Sequence, residues 1–371
     1  VSIIDKEAVL REAQRLQIDG IMSFGVDPGV VSAAYVAEKM GLPFQCSYEA
    51  ACILQDKARF RQFLAEHGFN CPKAKGYNNA IEALDDADFF TWPIIVKPVD
   101  SAGSKGVTKV ERKEELEKAV LHAISESHSG RFIVEDFLEK LGYSMGSESF
   151  AVNGKLMFNG FYDQYFDNRS ANPYTPSAEC WPASMNDGCR DEIKSELQRL
   201  FDFLDVRTGL FNVEFRVCRD GKAYLMEVSP RGGGNRLAEM LNFATDVDLI
   251  DAEVKKAMGS PVAGMHEPNY KGCFAIQVLH APKRGTFDDI ILDGPFVAKH
   301  LVEKEIRVNK GDKVEPFTGA NTSIGTLFLN AKSREEMDEI LGHIDEFVSI
   351  IIHLPYNSEI FLLVLIIQIG H

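Results

Sequence analysis

No Cys-x-x-Cys occurs among the seven cysteines of this 371-residue chain, and their number is odd. Neither a disulfide framework nor a zinc site is indicated, and a reducing, cytoplasmic setting is expected. A basic footprint is missing as well. The net charge of −15 excludes wrapping of nucleic acid, although a local basic site can still hold a nucleotide. No signal peptide opens the chain at Val1. The apolar run Ile360–Ile367 is too short for a transmembrane helix, so no membrane partner is expected. No strand is followed by G-x-G-x-x-G, and no loop ends in G-K-[ST]; the dinucleotide fingerprint and the P-loop are both absent. Repeats and low-complexity tracts are lacking too.

The composition, 45% hydrophobic and 26% charged, is that of a globular protein with room for two or three domains. Strand-like Val1–Ile4, Gly20–Phe24 and Leu42–Gln45 alternate with helical Lys6–Gln17 and Gly29–Met40, as in the later part of a Rossmann-like unit. A helix led by Gln55-Asp56-Lys57 runs to His67. It puts Lys57 in a first turn, where a cation is disfavoured unless an anion binds there; a solvated lysine is the plainer alternative. A buried strand ends in Lys97-Pro98. The following loop, with Ser101, Gly103, Ser104 and Gly106, offers N–H groups and hydroxyls to phosphate, or is a flexible hairpin. Asn153-Gly154 predicts a type I′ hairpin that sets Glu148 opposite Asn159. Tyr162–Ser184 reads as a long, aromatic-bearing substrate or lid loop. Beyond Pro261 a separate small α/β subdomain is expected, with strands Gly272–Leu279, Gly285–Asp289, Phe296–Val302 and Gly325–Leu329 and a helix Ser333–Val348.

The most informative stretch is Asn212–Asn235. Asp220-Gly221 between two apolar runs predicts a two-residue hairpin turn. That register sets Val213 opposite Val228, Phe215 opposite Met226 and Val217 opposite Tyr224 on an apolar face. Asn212 opposite Ser229 and Glu214 opposite Glu227 occupy the other. Facing carboxylates repel, so such a pair calls for a cation, a shared proton or a basic side chain, or else simply points into water. Hard oxygen ligands of this kind suit Mg²⁺ together with substrate phosphates. The loop Ser229–Gly234 then supplies Arg231, suited to bidentate recognition of a phosphate or carboxylate.

V-K-P (96–98), S-A-G-S-K-G-V (101–107), V-E-D-F-L (134–138), N-V-E-F-R (212–216) and M-E-V-S-P-R-G-G-G (226–234) resemble, in order and distance, the ATP-grasp superfamily. The likeness is to its carboxylate–amine ligase branch, the L-amino-acid-ligase-like members, and covers about Ser47 to Gly259. It implies an α/β (α+β ATP-grasp) fold. Residues 1–46 would be a partial Rossmann-like domain and 47–262 the ATP-grasp domain, with a lid at about 70–137. Residues 263–352 would be the C-terminal subdomain and 353–371 an apolar tail. It further implies that Lys57 and Lys97 hold ATP phosphates and that Ser101–Gly106 is a mobile lid loop. Glu135 and the backbone at Phe137 and Leu138 would bind adenine, with Glu148 also on the nucleotide. Glu214 and Glu227 would ligate Mg²⁺ or Mn²⁺. Arg231, with Lys97, would act in catalysis by stabilising an acyl phosphate or substrate carboxylate. Two departures stand out: the usual ribose-binding Glu falls near Ser144, and the usual metal-binding Asn is Ser229. Asn212, facing Ser229, is expected to compensate. The implied reaction is ATP-dependent joining of a small-molecule carboxylate and amine, amino acids by resemblance, in a cytoplasmic enzyme for which a homodimer is common. A bicarbonate-activating, carboxylase- or carbamoyl-phosphate-synthase-like enzyme is one alternative. A nucleotide-binding module without turnover is another, against which Glu214, Glu227, Lys97 and Arg231 together argue.

Overall fold

The computed structural model describes residues 1–101 and 103–354; the expected tail beyond Leu354 lies outside them. Helix α1 (Lys6–Leu16) starts where Asp5 accepts a hydrogen bond from the Ala8 N–H, and α2 (Val30–Met40) ends at left-handed Gly41. The strands expected at 1–4, 20–24 and 42–45 do not form: a strand needs a continuous partner for its backbone groups, and here Phe24 makes an isolated parallel bridge to Gly232 and the Gln45 carbonyl a single bond with the Arg207 N–H. Helices α3 (Tyr48–Gln55) and α4 (Lys57–Glu66) follow, separated by Asp56 alone. Its carboxylate caps the N–H groups of Ala58 and Arg59 and fixes Lys57 as the first residue of α4.

Strands β1 (Ala74–Tyr77), β2 (Ile94–Pro98), β3 (Thr108–Val110) and β4 (Phe132–Asp136), with α5 (Ala80–Asp85) and α6 (Leu116–Ser125), build a four-stranded antiparallel sheet in the order β1-β4-β2-β3. Ile94, Val96, Phe132 and Val134 bury one face against the helices. Strand alternation leaves Lys97 and Glu135 on the other face.

The rest of the chain forms β5 (Ser144–Val152), β6 (Lys155–Phe166), β7 (Pro176–Trp181), α7 (Asp187–Phe203), β8 (Gly209–Val217), β9 (Ala223–Ser229), α8 (Leu237–Thr245) and α9 (Leu249–Ala257). Then come β10 (Cys273–His280), β11 (Gly285–Leu292), α10 (Gly294–His300), β12 (Leu301–Ile306), β13 (Lys313–Val314), β14 (Ser323–Ala331), α11 (Arg334–Gly342), α12 (Ile344–Phe347) and β15 (Val348–His353). Eight of these strands make one antiparallel sheet, β12-β14-β10-β7-β6-β5-β8-β9, and three make a smaller one, β13-β11-β15. The domain boundary expected at 262/263 therefore falls within a continuous sheet, because β10 pairs with β7.

Two other expectations are corrected. Tyr162–Ser184 is not a long loop: β6 runs to Phe166 and β7 begins at Pro176, with Tyr162 and Trp181 buried in the core. Phe296–Val302 begins as helix, capped by Asp293 and started by Pro295, before β12 takes over. At Asn153-Gly154 both φ angles are positive (49° and 79°), as a type I′ turn requires. A bulge at Phe150/Ala151 then shifts the ladder, so Ser149 faces Asn159, while Glu148 faces Gly160 on one side and Asn212 on the other.

Candidate active site

Glu214 faces Glu227 across β8 and β9, and Asn212 faces Ser229, in the register anticipated from the sequence. The route to that register differs. The turn closes through Cys218 N–H to Lys222 O (2.9 Å) and Gly221 N–H to Cys218 O (2.9 Å), with Gly221 alone left-handed at φ +80°. This is a three-residue loop with a glycine bulge, one residue out of step with a type I′ turn. A second bulge between Glu214 and Phe215 restores the step. Phe215 consequently faces Leu225 rather than Met226, and Val217 faces Ala223 rather than Tyr224.

Lys57 Nζ lies 3.5 Å from Glu227 Oε2 and donates to the Ser101 carbonyl at 3.1 Å. Burial opposes its charge, but Glu227, Asp27 and Glu214 outweigh that and hold its pKa above the ordinary lysine value. Glu214 keeps a solvent-accessible face, yet enclosure in the cleft and the charge of Glu227 push its carboxyl up to about 7. A native carboxyl with a raised pKa favours the fold while protonated, so its contribution turns unfavourable as pH rises from the ordinary carboxylate range through about 7. A cation seated on the pair removes that penalty. The expected outcome is a larger Mg²⁺-induced rise in melting temperature at pH 8 than at pH 6, read by thermal-shift titration; equal rises would contradict it.

Lys97, on β2, donates to Glu135 Oε2 at 2.7 Å, and Arg61 of α4 brings Nε to 2.9 Å from Glu135 Oε1. The second is a close charge contact rather than an aligned hydrogen bond. Glu135 is 1% exposed, and although burial alone would raise it, Arg61 and Lys97 hold its carboxyl down at about 2. Its carboxylate is thus committed to two cations, which takes it out of the adenine contact expected for it. Phe137 spends its N–H on the Pro93 carbonyl at 3.0 Å. Burial, joined by the nearby Arg61 charge, lowers the pKa of Lys97 despite Glu135. Arg61 also donates to the carbonyls of Leu225 and Met226 at 3.4 and 3.0 Å, bracing β9 at its bulge. Nothing in the sequence marked Arg61 out from other helical arginines.

Between β2 and β3, Gly103, Ser104 and Gly106 all adopt positive φ. The Ser104 hydroxyl donates to the Tyr174 carbonyl at 3.2 Å, so this loop touches the irregular segment between β6 and β7.

Three carboxylates, Asp27 half-buried and Glu148 and Glu179 buried, support the loop after β9. Asp27 takes Arg231 side-on, Nε to Oδ1 at 2.7 Å and Nη2 to Oδ2 at 2.8 Å. Glu148, fully buried, accepts from the Gly233 N–H (2.9 and 3.1 Å) and the Asn212 amide (2.7 Å); burial pushes it up to about 7. Glu179 accepts from the Asn235 amide at 3.2 Å, and burial pushes it up to about 8. A Cβ at Gly233 would meet Glu148 Oε1 at 2.5 Å, so glycine is required there by close approach. Glu148 therefore supports the glycine loop from beneath, where the sequence had suggested a nucleotide contact.

Within the expected metal set of Glu214, Glu227, Ser229 and Asn212, the two neutral members are tied into surrounding hydrogen bonds. Ser229 donates to Asp27 Oδ1 (2.8 Å) and accepts from Gln55 Nε2 (2.7 Å). Asn212 donates through Nδ2 to Glu148 and to the Tyr162 hydroxyl (3.3 Å), bonds that leave its Oδ1 able to act as an oxygen ligand. Among the described residues no cluster of three or more His, Cys, Asp or Glu is arranged to hold a metal. The two facing carboxylates fit an ion bound mainly through substrate phosphates.

Residues 90–239 match the ATP-grasp domain family. A carbamoyl phosphate synthase large chain from Neisseria meningitidis serogroup B is 27% identical over 196 residues, 53% of this chain and 18% of that one. The curated relatives matched first are spanned over only 16% to 37% of their length. Among solved structures, an L-amino acid ligase from Bacillus licheniformis has TM-score 0.78 at 21% identity, covering 94% of this chain and 85% of that one. The biotin carboxylase domain dimer of Hydrogenobacter thermophilus 2-oxoglutarate carboxylase, with MgADP and bicarbonate, has TM-score 0.72 at 17% identity, covering 94% and 78%. These likenesses establish the fold. Residues 90–239 thus carry an ATP-grasp domain, set within a fold shared with these solved structures.

Proposed function

We propose that the protein is an ATP-dependent carboxylate–amine ligase working through an acyl phosphate. The observation that carries this reading is the facing pair Glu214 and Glu227, with Lys57 beside it and Arg231 on the same hairpin's exit loop. The likeness to the Bacillus ligase over most of both chains supports it.

Glu214 and Glu227 would hold Mg²⁺, which supplies charge neutralisation for phosphoryl transfer. Lys57 and Lys97 bind the phosphates, Lys97 oriented by Glu135. Adenine rests against the backbone at Phe137–Leu138. The carboxylate oxygen of the acid attacks the γ-phosphorus and ADP departs. Arg231 holds the acyl phosphate while the amine attacks its carbonyl carbon, giving an amide and inorganic phosphate. Residues 103–107, with Ser104 on the Tyr174 carbonyl, would exclude water that hydrolyses the intermediate.

Bicarbonate as the activated acid is the second reading, favoured by the match to carbamoyl phosphate synthase chains and the biotin carboxylase likeness. Phosphate release from MgATP with the twenty amino acids, singly and in pairs, and with bicarbonate alone, separates the two. Release requiring two amino acids is expected. Release with bicarbonate alone selects the second reading, and none at all, with ATP bound, contradicts both.

A further inference from the structure

Asp27 lies outside the matched ATP-grasp segment, between α1 and α2, yet it grips the arginine of the central loop. A guanidinium has five N–H donors: one on Nε and two on each terminal nitrogen. Asp27 uses one on Nε and one on Nη2, and the Gly232 carbonyl uses one on Nη1 at 3.0 Å. One N–H remains on Nη1 and one on Nη2, two donors suited to a phosphate or carboxylate. The paired Arg231 thus offers directed donors with its net charge already offset, which favours reversible anion binding.

Asp27 is itself held. Ser229 donates to its Oδ1, and Gln55 donates to Ser229 in turn. The Gly25 N–H bonds the Gly232 carbonyl at 2.9 Å, and the Gln45 amide donates to the Pro230 carbonyl, so the N-terminal segment clamps the loop along its length. Arg231 is 7% exposed, so its guanidinium has little freedom to find another orientation.

We infer that Asp27 is a positioning residue: through the chain Gln55–Ser229–Asp27 it sets the free donors of Arg231 toward the anion formed in the reaction, and the N-terminal segment thereby completes the anion site. This also accounts for Ser229 where a metal-binding Asn is usual. The inference rests on the anion role of Arg231 proposed above, and the test separates the two.

Binding of inorganic phosphate to the full chain loaded with MgADP is the readout, by calorimetry, for Asp27→Ala, Asp27→Asn, Asp27→Glu, Arg231→Ala and the Asp27→Ala/Arg231→Ala pair. Loss of one oriented, charge-assisted contact predicts phosphate binding weakened about ten- to a hundredfold in Asp27→Ala. MgADP affinity should stay within about twofold, with partial recovery in Asp27→Glu and no further loss in the double variant. MgADP binding reports folding, and if Asp27→Ala lacks it the comparison passes to the isosteric Asp27→Asn, in which an amide NH₂ opposes Nη2. Unchanged phosphate binding in the Asp27 variants, with Arg231→Ala defective, would overturn the inference alone, as would additive losses in the pair. Unchanged binding in Arg231→Ala would overturn the anion role of Arg231.

Discussion

Glu227→Gln should lower the proposed ATP-dependent phosphate release on the order of 10²–10³-fold without unfolding the protein. Glu227 faces Glu214 across the hairpin and lies 3.5 Å from Lys57, so it belongs to both the cation seat and the phosphate lysine. Removing one preorganised group of this kind costs on the order of 10²–10³ in kcat. The same change removes the facing like charge from Glu214, which after burial is the largest cause that pushes that carboxyl up to about 7. The variant should therefore be at least as stable as the parent at pH 8 without metal, and its Mg²⁺-induced stabilisation should shrink. Steady-state kinetics and thermal melts of one preparation check both halves. A variant that loses activity together with its melting transition would show Glu227 to be structural.

Arg61→Met has the second large effect, this time on stability. The guanidinium neutralises Glu135 at 2.9 Å and donates to two carbonyls at the β9 bulge. Its removal leaves a 1% exposed carboxylate with Lys97 as its ion-pair partner, and deletion of one partner of a buried ion pair costs about 3–5 kcal/mol. At this chain length that is a fall of roughly 5 °C in melting temperature. The sign with pH follows from Glu135, whose folded pKa is depressed to about 2. Its stabilisation is present above the ordinary glutamate pKa and is lost as pH falls toward about 2. Arg61→Met should therefore unfold at a higher pH than the parent in an acid titration followed by circular dichroism. An unchanged acid midpoint would mean Glu135 draws nothing from Arg61.

Much of this site was legible because it lies on a hairpin, where alternation and a turn signal fix what faces what. Glu214 and Glu227 emerged from that rule although the turn type was misjudged, because a one-residue offset at Gly221 is undone by one at Met226. Glu148 shows the opposite case: its turn was read correctly, and an unsignalled bulge moved it by one residue. Bulges answer to tertiary packing and leave little mark in local sequence. Asp27 and Arg61 were invisible for another reason. Each reaches the centre through a contact spanning well over a hundred residues, and no periodicity encodes such a pairing. Glu135 was noticed, but its commitment depends on Arg61 and so could not be read. The strands expected before Cys46 failed because propensity supplies no partner strand.

The acyl phosphate is the central claim, and isotope transfer tests it most directly. With the acid substrate labelled by ¹⁸O in its carboxylate, each turnover should deliver one labelled oxygen to inorganic phosphate, read by mass spectrometry. Phosphate released without label, while amide forms or ATP is consumed, would contradict the mechanism.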